Sequence, residues 1–448
     1  MHDLKEKTIR GGLVRLCAQG AEFSLRLGSL MVLARLLGPT DFGLVGMVTA
    51  FTGVLGLFRD FGLSAAAVQR AEVTEEQIST LFWINIIVGA LLGLLTVAMA
   101  PAVAAFYHEP RLVAVTAALA ASFFFNAAGV QHGALLQRQM RFTALAVIGT
   151  ISLLVSTAIA ISGAIAGYGY WALVAMTLTL PLINTIGYWL ATGWIPGMPH
   201  RRVGLRSMMH FGGTLTLNGL IVYVASNFEK ILLGRFWGAD ALGIYGRAFQ
   251  LINIPTSNLN SAAGEVAFSA LSRLQSDPGR LRSYFLKGYS VILAMTLPMT
   301  VACALFADDM IRVFLGSKWE AAVPIFRLLA PTILVFAIAN PLAWLIMSLG
   351  LVERALKMSL TIAPIMIVAY LMGLRYGPKG VAFAYSTVMI LWVVPVIAWS
   401  VHGTMISVRD VLLTVTRPLA SSLVAAGLAL GARLACQALL PLPRLVVE

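Results

Sequence analysis

Ionisable and amide side chains stand inside stretches that are otherwise apolar: Glu22 and Arg26, Arg59 and Asp60, Asn227 with Glu229 and Lys230, then Arg247 and Arg327. At the centre of a bilayer a charged side chain costs about 2.5–3.5 kcal/mol on insertion scales, so each one needs a reason to be there. Cations predominate in the set. A guanidinium or ammonium in a dry setting binds phosphate oxygens through strong charge-assisted hydrogen bonds. The chemistry on offer is recognition of an anion, with the carboxylates Glu22, Asp60 and Glu229 as balancing or titrating groups. Glu22 and Arg26 are four apart and share one helical face. Arg26, near the middle of its stretch, cannot reach either surface. Arg59, Asp60, Lys230 and Arg247 stand nearer stretch ends, where snorkelling or structural pairing is the alternative. Asn253, Asn258, Asn260, Glu265 and Asn340 add polar groups, and the asparagines serve equally well as interhelical glue. Arg433 reads as a snorkelling residue.

Catalytic chemistry finds little support. Asp308-Asp309 is the nearest approach to an acidic pair, but it precedes the amphipathic run Met310 to Trp319 and reads as a helix cap. No Gly-x-x-x-x-Gly-Lys-Ser/Thr loop is present, which argues against ATP hydrolysis by this chain. His132 and His210 are isolated and read as structural. Cys17, Cys303 and Cys436 sit in apolar stretches without the spacing of a disulfide framework or a zinc site. We expect no catalytic residue, no metal site and no cofactor.

The elements that must hold these side chains follow from composition. Of 448 residues, 59% are apolar and 11% charged, with a mean hydropathy of +0.86. Soluble domains carry about 25% charged residues. Apolar runs, each long enough to cross a bilayer, give thirteen spans. Six lie near 13–36, 42–67, 81–105, 112–135, 143–164 and 168–190. Six more lie near 208–234, 242–268, 285–306, 322–349, 356–376 and 380–401, and a last near 416–440. No break between them has room for a soluble catalytic domain. Gln19, Glu22 and Arg26 interrupt the first apolar region, unlike a cleavable signal. Pro255, Pro298, Pro341, Pro364 and Pro395 fall inside spans as kink or flexing points. Tyr168, Tyr170, Trp171 and Trp194 fit interfacial belts.

With the N-terminus placed in the cytoplasm, loops on that side hold 18 Lys and Arg against 8 on the other, with six inside spans. The positive-inside rule favours this orientation. It accounts for much of the +13 net charge without a nucleic-acid partner. A thirteenth span would leave the C-terminus outside.

Arg35-Leu-Leu-Gly38-Pro-Thr-Asp-Phe-Gly43-Leu-Val-Gly46 joins spans one and two. Arg235-Phe-Trp-Gly238-Ala-Asp-Ala-Leu-Gly243-Ile-Tyr-Gly246 joins spans seven and eight. Arginine and three glycines recur in register, each 200 positions apart, at the same kind of corner. Six spans per half would form a parallel repeat, which places a transport site between halves near the midplane. The division is 1–206, spans one to six; 207–402, spans seven to twelve; and 403–448, an extra C-terminal transmembrane helix.

At these residues the chain resembles the Wzx-type polysaccharide flippases of the multidrug/oligosaccharidyl-lipid/polysaccharide (MOP) exporter superfamily. The likeness rests on Arg35 to Gly43, Asp60-Phe-Gly62-Leu63, Asn227 to Gly238, Ala241-Leu-Gly243-Ile-Tyr245-Gly-Arg247-Ala, Leu271-Ser-Arg-Leu-Gln275 and Asp309 to Trp319. It reaches to about residue 400. The resemblance implies an all-α polytopic membrane protein, with two six-helix lobes in a V around a central cavity. Members often have fourteen spans. It implies alternating-access translocation of undecaprenyl-diphosphate-linked oligosaccharides across the bacterial inner membrane, from the cytoplasmic to the periplasmic leaflet. Partners would be that lipid-linked substrate, membrane lipids, a polysaccharide polymerase and export machinery; H+ or Na+ is left open as a coupling cation. A multidrug exporter of the same superfamily is the alternative, and a membrane glycosyltransferase or polymerase a more distant one.

Overall fold

The computed structural model describes residues 20–59, 74–199, 206–275 and 277–439. Every regular element among them is helical. The first half runs α1 (20–36), α2 (Pro39–Leu57), α3 (Glu75–Tyr107), α4 (Leu112–Arg138), α5 (Phe142–Ile165) and α6 (Tyr170–Thr192). The long α7 (Arg206–Arg273) leads to α8 (Pro278–Leu305) and the short α9 (Ala307–Phe314). After a 3-10 turn at Ser317–Trp319 come α10 (Ala322–Leu329), α11 (Pro331–Ser348), α12 (Val352–Leu374), α13 (Gly377–Val401) and α14 (Val408–Leu439). Among the described residues nine helical stretches are long and apolar enough to cross a membrane: α2 to α6, α8, α10 with α11, α12 and α13. The other four sequence spans fall on α1, on the two arms of α7 and on α14. Such a chain satisfies its backbone within each helix, as a bilayer requires.

Both repeated corners are breaks at glycine. At Gly38 the backbone is extended (φ −93°, ψ 166°), its N–H is accepted by Asp41 Oδ2 at 3.0 Å, and Pro39 starts α2 with a preset φ. At Gly238 the break inside α7 has φ 81° and ψ −177°, a conformation that residues with a Cβ rarely adopt. The two corners pack on each other. A Cβ on Gly43 would lie 1.7 Å from Ala239 O, and one on Gly243 would lie 1.9 Å from Pro39 O. Ala239 is the repeat equivalent of Pro39, so the two contacts are one contact made twice. That reciprocity is the signature of a local two-fold axis. Thr40 Oγ1 donates to Asp240 Oδ1 at 3.4 Å, a pair of equivalents 200 residues apart.

Contacts divide the chain into two units, Met1–Gly246 with Phe314–Lys318, and Arg247–Val313 with Trp319–Glu448. The contact boundary falls within α7, whereas the six-plus-six division of the sequence is one of topology and repeat. In unit 1, α3 and α4 close where Gly89 meets Ala127 and the Phe123 carbonyl. Helices α4 and α6 are tied by Thr185 Oγ1 donating to Phe125 O at 2.7 Å and Trp189 Nε1 donating to Ala128 O at 2.8 Å. Lys318 Nζ donates to Arg35 O at 3.1 Å, which secures 314–318 to this unit. In unit 2, α8 carries Leu281, Phe285, Tyr289, Leu293 and Leu297 at a spacing of four, one stripe of a buried cluster in which α8 packs on α11 and α14. Lipid is as apolar as leucine, so small residues and side-chain hydrogen bonds do much of the work of association here.

Candidate functional site

Glu22 and Arg26 approach to 4.0 Å across one turn of α1, with side chains 31% and 58% exposed. Glu22 lies against α5, where a Cβ on Gly149 would be 3.2 Å from its Oε1. Arg59 follows α2, part-buried, its N–H donating to Gly56 O at 3.3 Å; Asp60 lies outside the described residues. On the first arm of α7, Lys230 Nζ donates to Asn227 Oδ1 at 2.7 Å, and Asn227 Nδ2 donates to Tyr223 O. Glu229 is 1% exposed, and its carboxylate oxygens have no hydrogen-bond partner among the described residues. Tyr223 hydroxyl donates to Thr49 O of α2 at 3.3 Å, so the arm carrying these groups is tied to α2.

Arg247 is part-buried on the second arm of α7 and opens unit 2. Arg327, on α10, pairs with Asp308 of α9 at 2.5 Å, both about half exposed. Asp308, which the sequence reads as a cap, thus anchors α10 to α9. The structure brings together Glu22 with Arg26, and Asn227 with Lys230. The side chains of His210, Asn258, Asn260, Glu265 and Arg433 lie outside the described residues.

Several partnerships escape the sequence reading. Arg235, which reads as a loop cation, donates through Nη1 to His108 Nδ1 at 2.6 Å and lies over the Phe106 and Phe236 rings. His132 is isolated in sequence but not in space. It is buried, stacks on Trp189 at 4.3 Å and meets the Trp194 carbonyl at 3.3 Å. The segment after α6 is clasped to α3, because Trp83 Nε1 donates to Gly197 O and Gly197 N donates to Ser79 Oγ. Nothing in the spacing links residues so far apart in the chain.

Two carboxylates beyond the spans are held by arginines. Glu109, bonded by Arg111 at 2.7 and 2.8 Å, is held below the usual carboxylate range. Asp410, before the last sequence span, is held far below it by Arg282, helped by the Ser407 N–H.

A multi-pass membrane protein, helical in every regular element of the described residues and with charged groups set into its apolar helices, is thereby defined. Its fold is that of MOP-superfamily transporters. It superposes on the lipid II flippase MurJ, inward closed, with TM-score 0.74 at 14% identity, covering 93% of this chain and 92% of that one. It superposes on an inward-facing multidrug resistance MATE transporter with TM-score 0.66 at 15% identity, covering 90% and 99%. The chain belongs to the polysaccharide biosynthesis protein family, which matches residues 32–324. Teichuronic acid biosynthesis protein TuaB of Bacillus subtilis is 31% identical over 301 residues, 66% of this chain. The chain spans 62% of that relative's length. Lipopolysaccharide biosynthesis protein WzxC of Escherichia coli is 25% identical over 395 residues, 87% of this chain and 80% of that one.

Proposed function

We propose that this protein is a flippase of the bacterial inner membrane, a transporter and not an enzyme. It moves polyprenyl-diphosphate-linked oligosaccharide, with undecaprenyl as the carrier, from the cytoplasmic to the periplasmic leaflet for polysaccharide export. The N-terminus is cytoplasmic in this reading. A diphosphate and several sugars cannot cross about 30 Å of hydrocarbon without replacement of their hydration. Arg26 carries the proposal. A guanidinium more than half exposed near the middle of a span is costly against acyl chains and well placed in a wet, anion-attracting path. Lys230, Arg59 and Asn227 extend that path, while Glu22, Asp60 and Glu229 balance it or take up a coupling H+ or Na+.

Family membership and relatives named for lipopolysaccharide and succinoglycan biosynthesis support the sugar substrate. MATE transporters solved in inward-facing and outward-facing conformations support alternating access in this fold. A polymerase and export machinery would take the product on the far side. The test replaces Arg26 with alanine, confirms normal membrane levels, and measures which face lipid-linked oligosaccharide accumulates on. Accumulation on the cytoplasmic face with export lost is the expected result. Undiminished export removes Arg26 from the path, and gain of resistance to organic cations instead would favour a multidrug exporter.

A further inference from the structure

Glu22, which lies against α5, has a tyrosine of α6 within its electrostatic reach. Helices α5 and α6 cross where a Cβ on Gly187 would lie 2.6 Å from Ile148 Cγ2. Gly149 and Tyr188 are each the next residue along their helix from that crossing. Gly149 receives the Glu22 carboxylate, and the part-buried Tyr188 ring rests against Gly133 of α4, 3.4 Å from where a Cβ would stand. Glu22 also acts on Tyr188 electrostatically. Two glycines thus leave room for a carboxylate and an aromatic ring beside the exposed guanidinium of Arg26.

A carboxylate beside a cation is a poor arrangement for binding a diphosphate alone, because Glu22 repels the anion that Arg26 attracts. A ligand that is anionic at one end and neutral but hydroxyl-rich at the other uses both signs. We infer that Glu22 and Tyr188, with room made by Gly149 and Gly133, form a subsite for the first sugar of the lipid-linked substrate, while Arg26 takes its diphosphate. The carboxylate accepts hydrogen bonds from sugar hydroxyls, and the tyrosine offers an apolar face with a polar tip. The order also fits. Arg26 stands four residues, about 6 Å along the helix axis, further from the N-terminal end of α1 than Glu22. A carrier entering from the cytoplasmic leaflet presents tail, diphosphate and sugar in that sequence toward the cytoplasm.

The inference rests on the proposed function, and the experiment separates the two. The purified full chain in nanodiscs is titrated with bare undecaprenyl diphosphate and with the same carrier bearing one glucose, galactose or N-acetylglucosamine. Wild type is expected to favour at least one glycosylated carrier over the bare one by about tenfold, the discrimination a hydrogen-bonding sugar site supports. Tyr188→Ala and Glu22→Gln should each bring that ratio below about threefold, and Glu22→Gln, which removes a charge that repels the diphosphate, should raise the affinity for bare and glycosylated carriers alike. Tyr188→Phe should keep most of the preference. Arg26→Ala should weaken every carrier. Glu22→Gln decides the matter alone if Tyr188→Ala fails to elute as a folded species. Absence of any sugar preference in wild type, or its survival in both variants, overturns the subsite. Unchanged bare-carrier affinity in Arg26→Ala would instead overturn the anion role of the parent reading.

Discussion

Gly43 and Gly243 are repeat equivalents that each press against the other's corner, one on the Ala239 carbonyl and the other on the Pro39 carbonyl. Backbone meets backbone at both places, so no side-chain rotation relieves an added methyl. Gly43→Ala and Gly243→Ala are expected to lower stability by at least about 2 kcal/mol, in the range of overpacked interiors. Detergent-solubilised melting temperature checks this, and an unchanged midpoint for either would mean the corners part without cost.

The same contact gives a functional prediction. Thr40 and Asp240 meet beside the two corners, which the proposed orientation places on the periplasmic side. A chain whose cysteines at 17, 303 and 436 are replaced by serine, carrying Thr40→Cys and Asp240→Cys, should lose export when joined by a short thiol cross-linker that reducing agent cleaves, and regain it on cleavage. Full export in the cross-linked state would show that these corners stay together throughout the cycle.

Arg282 and Asp410 fix the start of α14 to the start of α8 through two bonds, at 3.0 and 2.6 Å. The folded carboxyl is held below its ordinary value, so the stabilisation it gives is complete above the unfolded value of about 3.9. It is lost as pH falls through the folded value. Asp410→Asn should lower the melting temperature at pH 7 and flatten its decline below about pH 4. A variant that melts like wild type at pH 7 would show that the pair does not hold the last helix.

Arg354 closes the end of α13, where Nη1 reaches the carbonyls of Trp399, Ser400 and His402, the last at 2.7 Å. A cation at the C-terminal carbonyls satisfies acceptors that the helix leaves open and complements its dipole. Arg354→Ala should cost about 1–2 kcal/mol, seen as a lower melting midpoint with protease cleavage appearing near residue 402. No change in either measurement would assign the capping to water.

How much of this was legible follows from the range of each signal. Helices are local, and the apolar runs placed them. The repeat also showed in sequence, because both corners need glycine at the break and glycine at the crossing, and a corner tolerates little else. Of the candidate site, the local pairings were legible. Glu22 and Arg26 share a face by helical spacing alone, and Lys230 finds Asn227 within one turn. Tyr188 carries no such mark, since what brings it to Glu22 is the crossing of two helices at Gly187 and Ile148. His132 with Trp189, and Arg235 with His108, are also long-range meetings that only packing creates. Arg327 shows the converse limit: an arginine in an apolar run suggests a ligand, but Asp308 is a partner supplied by an adjacent helix.

Glu229 offers the sharpest distinction between architecture and mechanism. Its neighbour Lys230 bonds Asn227, and its own oxygens are buried without a hydrogen-bond partner among the described residues. A buried carboxylate in that condition carries an unreturned desolvation cost. Glutamine has the same size and no charge, so a structural Glu229 predicts that Glu229→Gln gains stability by about 1–3 kcal/mol and transports normally. A Glu229 that takes up the coupling cation predicts the same gain in stability together with transport reduced at least about tenfold and no longer responsive to pH or Na+. The second outcome is the one expected here, because a purely structural site has no use for a buried carboxylate that it leaves without a hydrogen bond among the described residues. Melting curves and leaflet-resolved export measured on the one variant decide between them.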